Sequence, residues 1–195
     1  GDNVISSKGA IHYITQSNIE KAKPYLINKV KSQKIVSLIL GGPNKYYSFS
    51  NEELTGIFKK IKTDFISDGY KAIIIPSLRT PKRIIDLAIN EFDSNNFVVN
   101  SVDKQAYLSA LALATCIVVT CDSTSMISEA ATSGKPIFVA HMGSKKNNYR
   151  FKKFFQLFKE MGITRELGER VQNWTYNKLD EAERIAAMIN NKLNN

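Results

Sequence analysis

The sequence predicts a doubly wound α/β domain built on a parallel sheet. Five short apolar runs, at 35–40, 72–75, 97–99, 117–120 and 137–140, are continuous and rich in Ile and Val. Runs of that kind, with no polar alternation, are how strands buried on both faces read. Each run is followed by a stretch carrying helical start or stop signals, and the alternation extends over about 120 residues. Strand and helix in alternation imply right-handed crossovers into one parallel sheet.

The elements follow in order. Residues 1–30 stand outside the alternation and read as a short strand-like start, an irregular piece around Gly9 and a helix over 17–30. We take 1–30 as a hinge or linker segment with its helix, and 31–195 as the α/β domain, which ends in a C-terminal helix. After the first run, Ser50-Asn51-Glu52-Glu53 makes a capping-box pattern ahead of Leu54, Ile57 and Ile61. Thr80-Pro81 places a capping hydroxyl and then a proline at the first helical position. Ser101 or Asp103 can cap the stretch that runs to Ala114, and Gly134 followed by Pro136 ends the helix that starts after Asp122. Helices over 148–161 and 178–193 come last, and the connector between them carries Trp174 and Tyr176, read as packing anchors.

Apolar residues at 43% and charged residues at 23% are globular values, which exclude disordered, collagen-like and coiled-coil classes. A length of 195 residues predicts one domain. No window of 18 consecutive apolar residues occurs, so no transmembrane segment is expected. The first residues lack the basic-then-apolar pattern of an export signal. The chain opens on Gly1-Asp2 rather than Met, which reads either as an artificial start made for expression or as a cut from a longer protein. With 27 basic and 18 acidic residues the net charge is +9, which favours anionic partners without choosing among them. Lys supplies 21 of the basic residues beside 17 Asn and 22 Ile, a skew that AT-rich coding produces, so part of the charge is compositional. Cys116 and Cys121 fit no zinc spacing and read as packed thiols. So few cysteines point to a reducing, cytoplasmic compartment. No cluster has metal-ligand spacing, so no metal is expected.

In a doubly wound sheet, ligands bind beyond the carboxyl ends of the strands. Those ends are Gly41-Gly42-Pro43-Asn44-Lys45, then Pro76-Ser77-Leu78-Arg79-Thr80, then Cys121-Asp122-Ser123-Thr124-Ser125-Met126, and finally His141-Met142-Gly143-Ser144. The third of these opens a helix with three hydroxyls. Free N–H groups and the positive end of the dipole suit a phosphate there. Glu129 follows on the same helix, where a carboxylate can accept the hydroxyls of a ribose; the plainer reading has Asp122 and Ser123 capping and Glu129 in solvent. Gly41-Gly42 either lets the backbone approach a ligand or makes a tight turn. Arg79 can clamp a phosphate or carboxylate, or form a surface ion pair. His141 is a candidate for base stacking or proton transfer, and His12 lies outside the alternating unit. Lysines and Arg150 interleave with Tyr149, Phe151, Phe154, Phe155 and Phe158, which suggests a membrane or nucleic-acid surface. On a helix, however, the phenylalanines and Leu157 fall within an arc of about 160°, the mark of an aromatic face packed on a sheet.

Gly41-Gly42-Pro43-Asn44-Lys45-Tyr46-Tyr47, Ser77-Leu78-Arg79-Thr80-Pro81, the stretch 120–130 and Gly134-Lys135-Pro136 together resemble the mitochondrial-fission "elongated mitochondria" family. The resemblance extends through Gly9-Ala10-Ile11-His12-Tyr13-Ile14-Thr15 at one end. At the other it runs through Arg150-Phe151, Phe155, Gly162-Ile163, Arg165 and Trp174-Thr175-Tyr176, so it covers nearly the whole chain. It implies a glycosyltransferase-like protein of the GT-B type, with two facing Rossmann-like domains, this chain being the C-terminal half. The implied ligand is a nucleotide or nucleotide-sugar, with no further cofactor and no metal. Ser123, Thr124 and Ser125 would take its diphosphate and Glu129 its ribose, with Gly41, Gly42, Asn44, Ser77, Arg79, Thr80, Asp122 and Met126 around them. The implied parent activity is glycosyl transfer or sugar-nucleotide epimerisation. The catalytic base in such enzymes usually comes from the N-terminal half, so this chain alone is expected to bind without turnover. His12 is the candidate for a residual catalytic group. The alternative is a non-catalytic interaction module with a relic cleft, in contact with a partner or the membrane periphery. No nucleic-acid partner is expected, since that reading rests on charge alone. An isolated half would also expose an apolar face that a homo-oligomer can cover.

Overall fold

β1 (Ile35–Leu40), β2 (Lys71–Pro76), β3 (Phe97–Val98), β4 (Cys116–Thr120), β5 (Ile137–Ala140) and β6 (Thr164–Glu166) form one sheet. These strands come from a computed structural model that describes residues 4–194. The strand order is β3-β2-β1-β4-β5-β6, every pairing is parallel, and the order reverses between β1 and β4. This is the Rossmann-type doubly wound sheet that the apolar runs predict. β6 is an addition to the five expected strands. It reads Thr-Arg-Glu, and it is held on the edge by its register with β5 rather than by apolar side chains of its own.

Every residue of β1 and β4 is buried. The one hydroxyl inside β1, on Ser37, donates to the Ala110 carbonyl at 2.8 Å and so does not go unpaired. Ile35, Ile73 and Ile75 pack with Leu26, Val30, Ala106 and Ala110 in one cluster. A larger cluster joins Leu38, Ile74 and Phe138 to the helices α3 (Asn51–Asp64), α6 (Thr124–Ala131) and α7 (Tyr149–Glu160). On α7, Phe158 is buried and Phe151, Phe154, Phe155 and Leu157 are half-buried against the core, while Lys152, Lys153 and Lys159 are exposed. The aromatic arc is therefore a packing face. Trp174 donates its indole N–H to the Gly162 carbonyl at 2.9 Å and meets Phe138 edge-on at 5.2 Å.

The capping box at Ser50 and Glu53 forms, and Asp103 caps α5 (Lys104–Leu113). Three local expectations differ. Residues 4–7 carry no regular structure rather than a strand. The helix over 17–30 divides into α1 (Gln16–Ala22) and α2 (Pro24–Ile27), because Pro24 has no N–H to continue the ladder and instead takes the first position of α2. Thr80 does not cap α4 (Lys82–Glu91); Pro81 is the N-cap, and the Thr80 hydroxyl is drawn inward.

The segment before α1 is fastened to the end of the chain. Ala10 N–H donates to Ser128 Oγ (2.9 Å) on α6, and Lys8 N–H to the Glu181 carboxylate (2.6 Å) on α8 (Glu181–Leu193). Arg184 donates to the Ser6 carbonyl at 2.7 Å.

Both cysteines are free and buried, and burial pushes each thiol up to about 12. The thiolate is the reactive form. The native chain is therefore expected to react negligibly with an aromatic disulfide reagent at pH 8, and to release two thiols once denatured. Rapid reaction of the native protein would mean that β4 is open to solvent.

Candidate functional site

The loops after β1, β2 and β4 meet where the strand order reverses, the place where open α/β sheets bind ligands. Asp122 is the centre of this junction. Its carboxylate is fully buried and accepts from the Thr120 hydroxyl (2.7 Å), the Gly42 N–H (3.2 Å) and the Arg79 guanidinium (2.5 Å). Burial pushes the Asp122 carboxyl above its ordinary range; the Thr120 hydroxyl, the Arg79 charge and the Gly42 N–H pull the other way.

Both glycines are explained by this network. A Cβ on Gly41 would sit 2.1 Å from each Asp122 carboxylate oxygen, and one on Gly42 would sit 1.8 Å from the Arg79 carbonyl oxygen. The close approach is thus to the chain's own groups. Gly41 N–H is satisfied by Thr120 Oγ1 at 2.8 Å. Thr80 lies with its hydroxyl 2.8 Å from the Leu40 carbonyl and 2.7 Å from the Gly41 carbonyl, and it accepts from Ser77 N–H at 2.8 Å. Ser77 Oγ in turn accepts from Arg79 N–H at 3.3 Å. Asn44 fastens the β1 loop to the β4 loop: its amide donates to the Asp122 carbonyl (3.1 Å), and its oxygen accepts from the N–H groups of Tyr46 (2.8 Å) and Tyr47 (3.0 Å).

A cleft of about 470 Å³ opens above this network. Arg79, Ser123, Thr124 and Ser125 line it, together with Asn44 and Asp122. Lys45, Tyr46 and Phe151 complete the wall, although only their motif, and not their role, was legible in the sequence. Ser123 caps α6, its hydroxyl accepting from Met126 N–H at 3.3 Å. That leaves the dipole end of α6 facing the cleft beside Arg79 and Lys45. Gly41, Gly42, Ser77 and Thr80 support the floor from below and are not in the lining; Met126 is buried in the core.

Glu129 stands one helical turn after Ser125, on the same face. It does not project freely into solvent. The Tyr107 phenol on α5 donates to its Oε2 at 2.7 Å, and burial, reinforced by the Glu129 charge, pushes that phenol well above its ordinary value. Nothing in the sequence signals this pair, since its members lie 22 residues apart on different helices. His12 is not brought into the cleft lining. It lies on the segment that crosses α6, and its Nδ1 is buried without a hydrogen-bond partner.

Sheet order and cleft together define a Rossmann-type domain with a cation-lined pocket at its switch point. The chain belongs to the mitochondrial fission ELM1 family, whose profile matches residues 1–193. It is 29% identical over 200 residues to the uncharacterised protein RP120 of Rickettsia prowazekii, covering 95% of this chain and 54% of that one. It is 24% identical over 199 residues to the mitochondrial fission protein ELM1 of Arabidopsis thaliana, covering 98% and 46%. The chain thus spans about half the length of the curated relatives it matches. Among solved structures, a putative UDP-N-acetylglucosamine 2-epimerase from Listeria monocytogenes superposes with a TM-score of 0.50 at 14% identity, over 95% of this chain and 42% of that one. That likeness is one of fold.

Proposed function

We propose that this chain is the nucleotide-binding half of a GT-B-type protein, and that the switch-point cleft holds a nucleoside diphosphate or its sugar conjugate. The observation that carries the reading is the convergence of Arg79, Lys45 and the hydroxyl-rich start of α6 on one cleft of about 470 Å³, with Glu129 one turn further along. A diphosphate at the tip of α6 gains the free N–H groups, the helix dipole and two cationic side chains. The same groups stabilise the charge on a departing diphosphate in a glycosyl transfer. Asp122 holds one nitrogen of Arg79 and so fixes the orientation of the guanidinium fork. Glu129 accepts from the ribose, its plane set by Tyr107.

Calorimetric titration with UDP, GDP, CMP, TDP and ADP tests this. One of the five is expected to bind saturably, and Glu129→Ala to weaken it about tenfold, the effect of losing a hydrogen bond to a charged acceptor. Tyr107→Phe keeps the ring but frees Glu129. It is expected to weaken the ribonucleotide about threefold and leave its 2′,3′-dideoxy counterpart unchanged. The reading fails if none of the five binds, or if binding ignores Glu129. A second reading, a non-catalytic interaction module, is favoured by the exposed apolar side chains of Leu78, Tyr13 and Ile11. It predicts no nucleotide preference. Among the described residues, no helix is long and apolar enough to cross a membrane.

A further inference from the structure

A larger cleft, about 680 Å³, lies between the loop after β5 and the start of α7, on the other side of the wall made by Tyr46, Tyr47 and Phe151. Its distinctive group is His141. The register pairs Val139 with Glu166, so His141, two residues beyond Val139, falls on the same face of the sheet as Glu166. His141 Nε2 accordingly meets Glu166 Oε2 at 2.8 Å. The edge-to-face contact of the imidazole with Phe155 of α7, centroids 4.7 Å apart, fixes the ring from a second side. With Nε2–H given to the carboxylate, the free lone pair of the neutral ring is on Nδ1, which has no partner among the described residues. Lys146 and Lys152 stand on the same cleft, and neither is in an ion pair among the described residues. At the base, Asn148 donates to the Tyr47 hydroxyl at 2.9 Å.

We propose that this cleft is a second ligand site, distinct from the switch-point cleft, which takes a phosphoryl group between Lys146, Lys152 and the Nδ1 of His141. The two ammonium groups supply the charge. The imidazole, oriented by Glu166, supplies a directional hydrogen bond once it is protonated. The second ionisation of a phosphate monoester falls near 6, close to that of imidazole, so one proton is readily shared between them. The titratable groups around His141 are Glu166 on β6, Lys152 and Lys159 on α7, Lys146 and Tyr47 on the flanking loops, and Glu53 of α3, which binds Gly143 N–H at 2.8 Å. Burial holds the imidazole below its ordinary value; Glu166 opposes this and Lys159 adds to it. A bound dianion favours the charged ring and raises that value.

The sequence contains two histidines, so ring signals in carbon–proton NMR are readily assigned with a His141→Asn variant. The full chain is titrated with pH in inorganic phosphate, in glucose 1-phosphate and in potassium chloride at matched ionic strength. The titration midpoint of His141 is expected to rise by about one pH unit in phosphate, a tenfold gain in proton affinity. Tighter binding of the ester would assign an organic phosphate, and equal binding would assign the free ion. Lys146→Ala with Lys152→Ala is expected to abolish the rise. The proposal is overturned if chloride shifts His141 as much as phosphate does, or if the double lysine variant responds like the parent. Nucleotide binding in the other cleft is a separate readout, so either reading can fail alone.

Discussion

Gly42→Ala is expected to destabilise the domain by about 4 kcal/mol, the range reached when a buried site is overfilled and cannot relax. Thermal unfolding should start roughly 10 °C lower for a chain of this size. The new methyl would lie 1.8 Å from the Arg79 carbonyl oxygen, which is backbone and has nowhere to move. Gly41→Ala offers the contrast. Its obstacle is the Asp122 carboxylate, at 2.1 Å. Removing that carboxylate should therefore relieve the Gly41 substitution and leave the Gly42 substitution as costly as before. A double-mutant cycle reads this directly: Gly41→Ala with Asp122→Ala should be non-additive in the sense of relief, whereas Gly42→Ala with Asp122→Ala should show no relief, because the Arg79 carbonyl stays in place. Additivity at Gly41 would mean that the two loops do not touch as described.

The second large effect concerns Asp122 itself. Asp122→Ala leaves the Gly42 N–H without its acceptor in a dry junction, and the Thr120 hydroxyl with only the long 3.5 Å contact to the Ile39 carbonyl. The expected cost is about 3 kcal/mol, since each orphaned buried group contributes its own desolvation. Arg79→Ala acts differently, because it leaves a fully buried carboxylate with neutral donors only. The Asp122 carboxyl is already held above its ordinary value by burial, and losing the guanidinium raises it further. A group raised in the folded state stabilises below its unfolded value, and that stability is lost as pH rises through the folded value. The deficit of Arg79→Ala against the parent should therefore be small near pH 4 and grow toward pH 7, as followed by urea unfolding at several pH values. A deficit that shrank on raising the pH would contradict the buried ionised pair.

How much of this was legible in the sequence follows from what each residue type can signal. β1, β2, β4 and β5 announce themselves because a strand buried on both faces must be apolar throughout. β6 does not, because Thr164, Arg165 and Glu166 join the sheet through backbone groups, which every residue carries. Ser50, Glu53 and Asp103 cap as their spacing implies; Glu53 and Asp103 each have a second carboxylate oxygen left over, which takes Gly143 N–H and the Tyr25 hydroxyl without displacing the cap. Thr80 has the same local pattern, but two carbonyls of the β1 end reach it first. Strand counting alone puts the hydroxyl cluster at 123–125 and Arg79 beyond the same sheet edge, and both line the cleft there. That Asp122 is an anchor rather than a cap, and that Tyr107 steadies Glu129, are facts of tertiary distance. No spacing rule carries them.

The fastening of residues 6–10 to α6 and α8 has a kinetic meaning. β1 finds its neighbours through registers that join positions 36 and 80 residues apart, Ile35 with Lys71 and Val36 with Cys116. Pairings so remote in sequence form slowly, because loop closure precedes any reward. The clasp between Ser6, Lys8 and Arg184, Glu181 spans more than 170 residues and rests on exposed or half-buried contacts. It is expected to close last and open first. Amide exchange should show Lys8 and the start of α8 releasing together, as one unit, well before β1 or β4. Ala10 belongs to the same clasp and is bonded to Ser128, the residue beside Glu129. The clasp therefore ends on the helix that lines the switch-point cleft, and a ligand that tightens α6 is expected to slow exchange at Ala10 and at the start of α8.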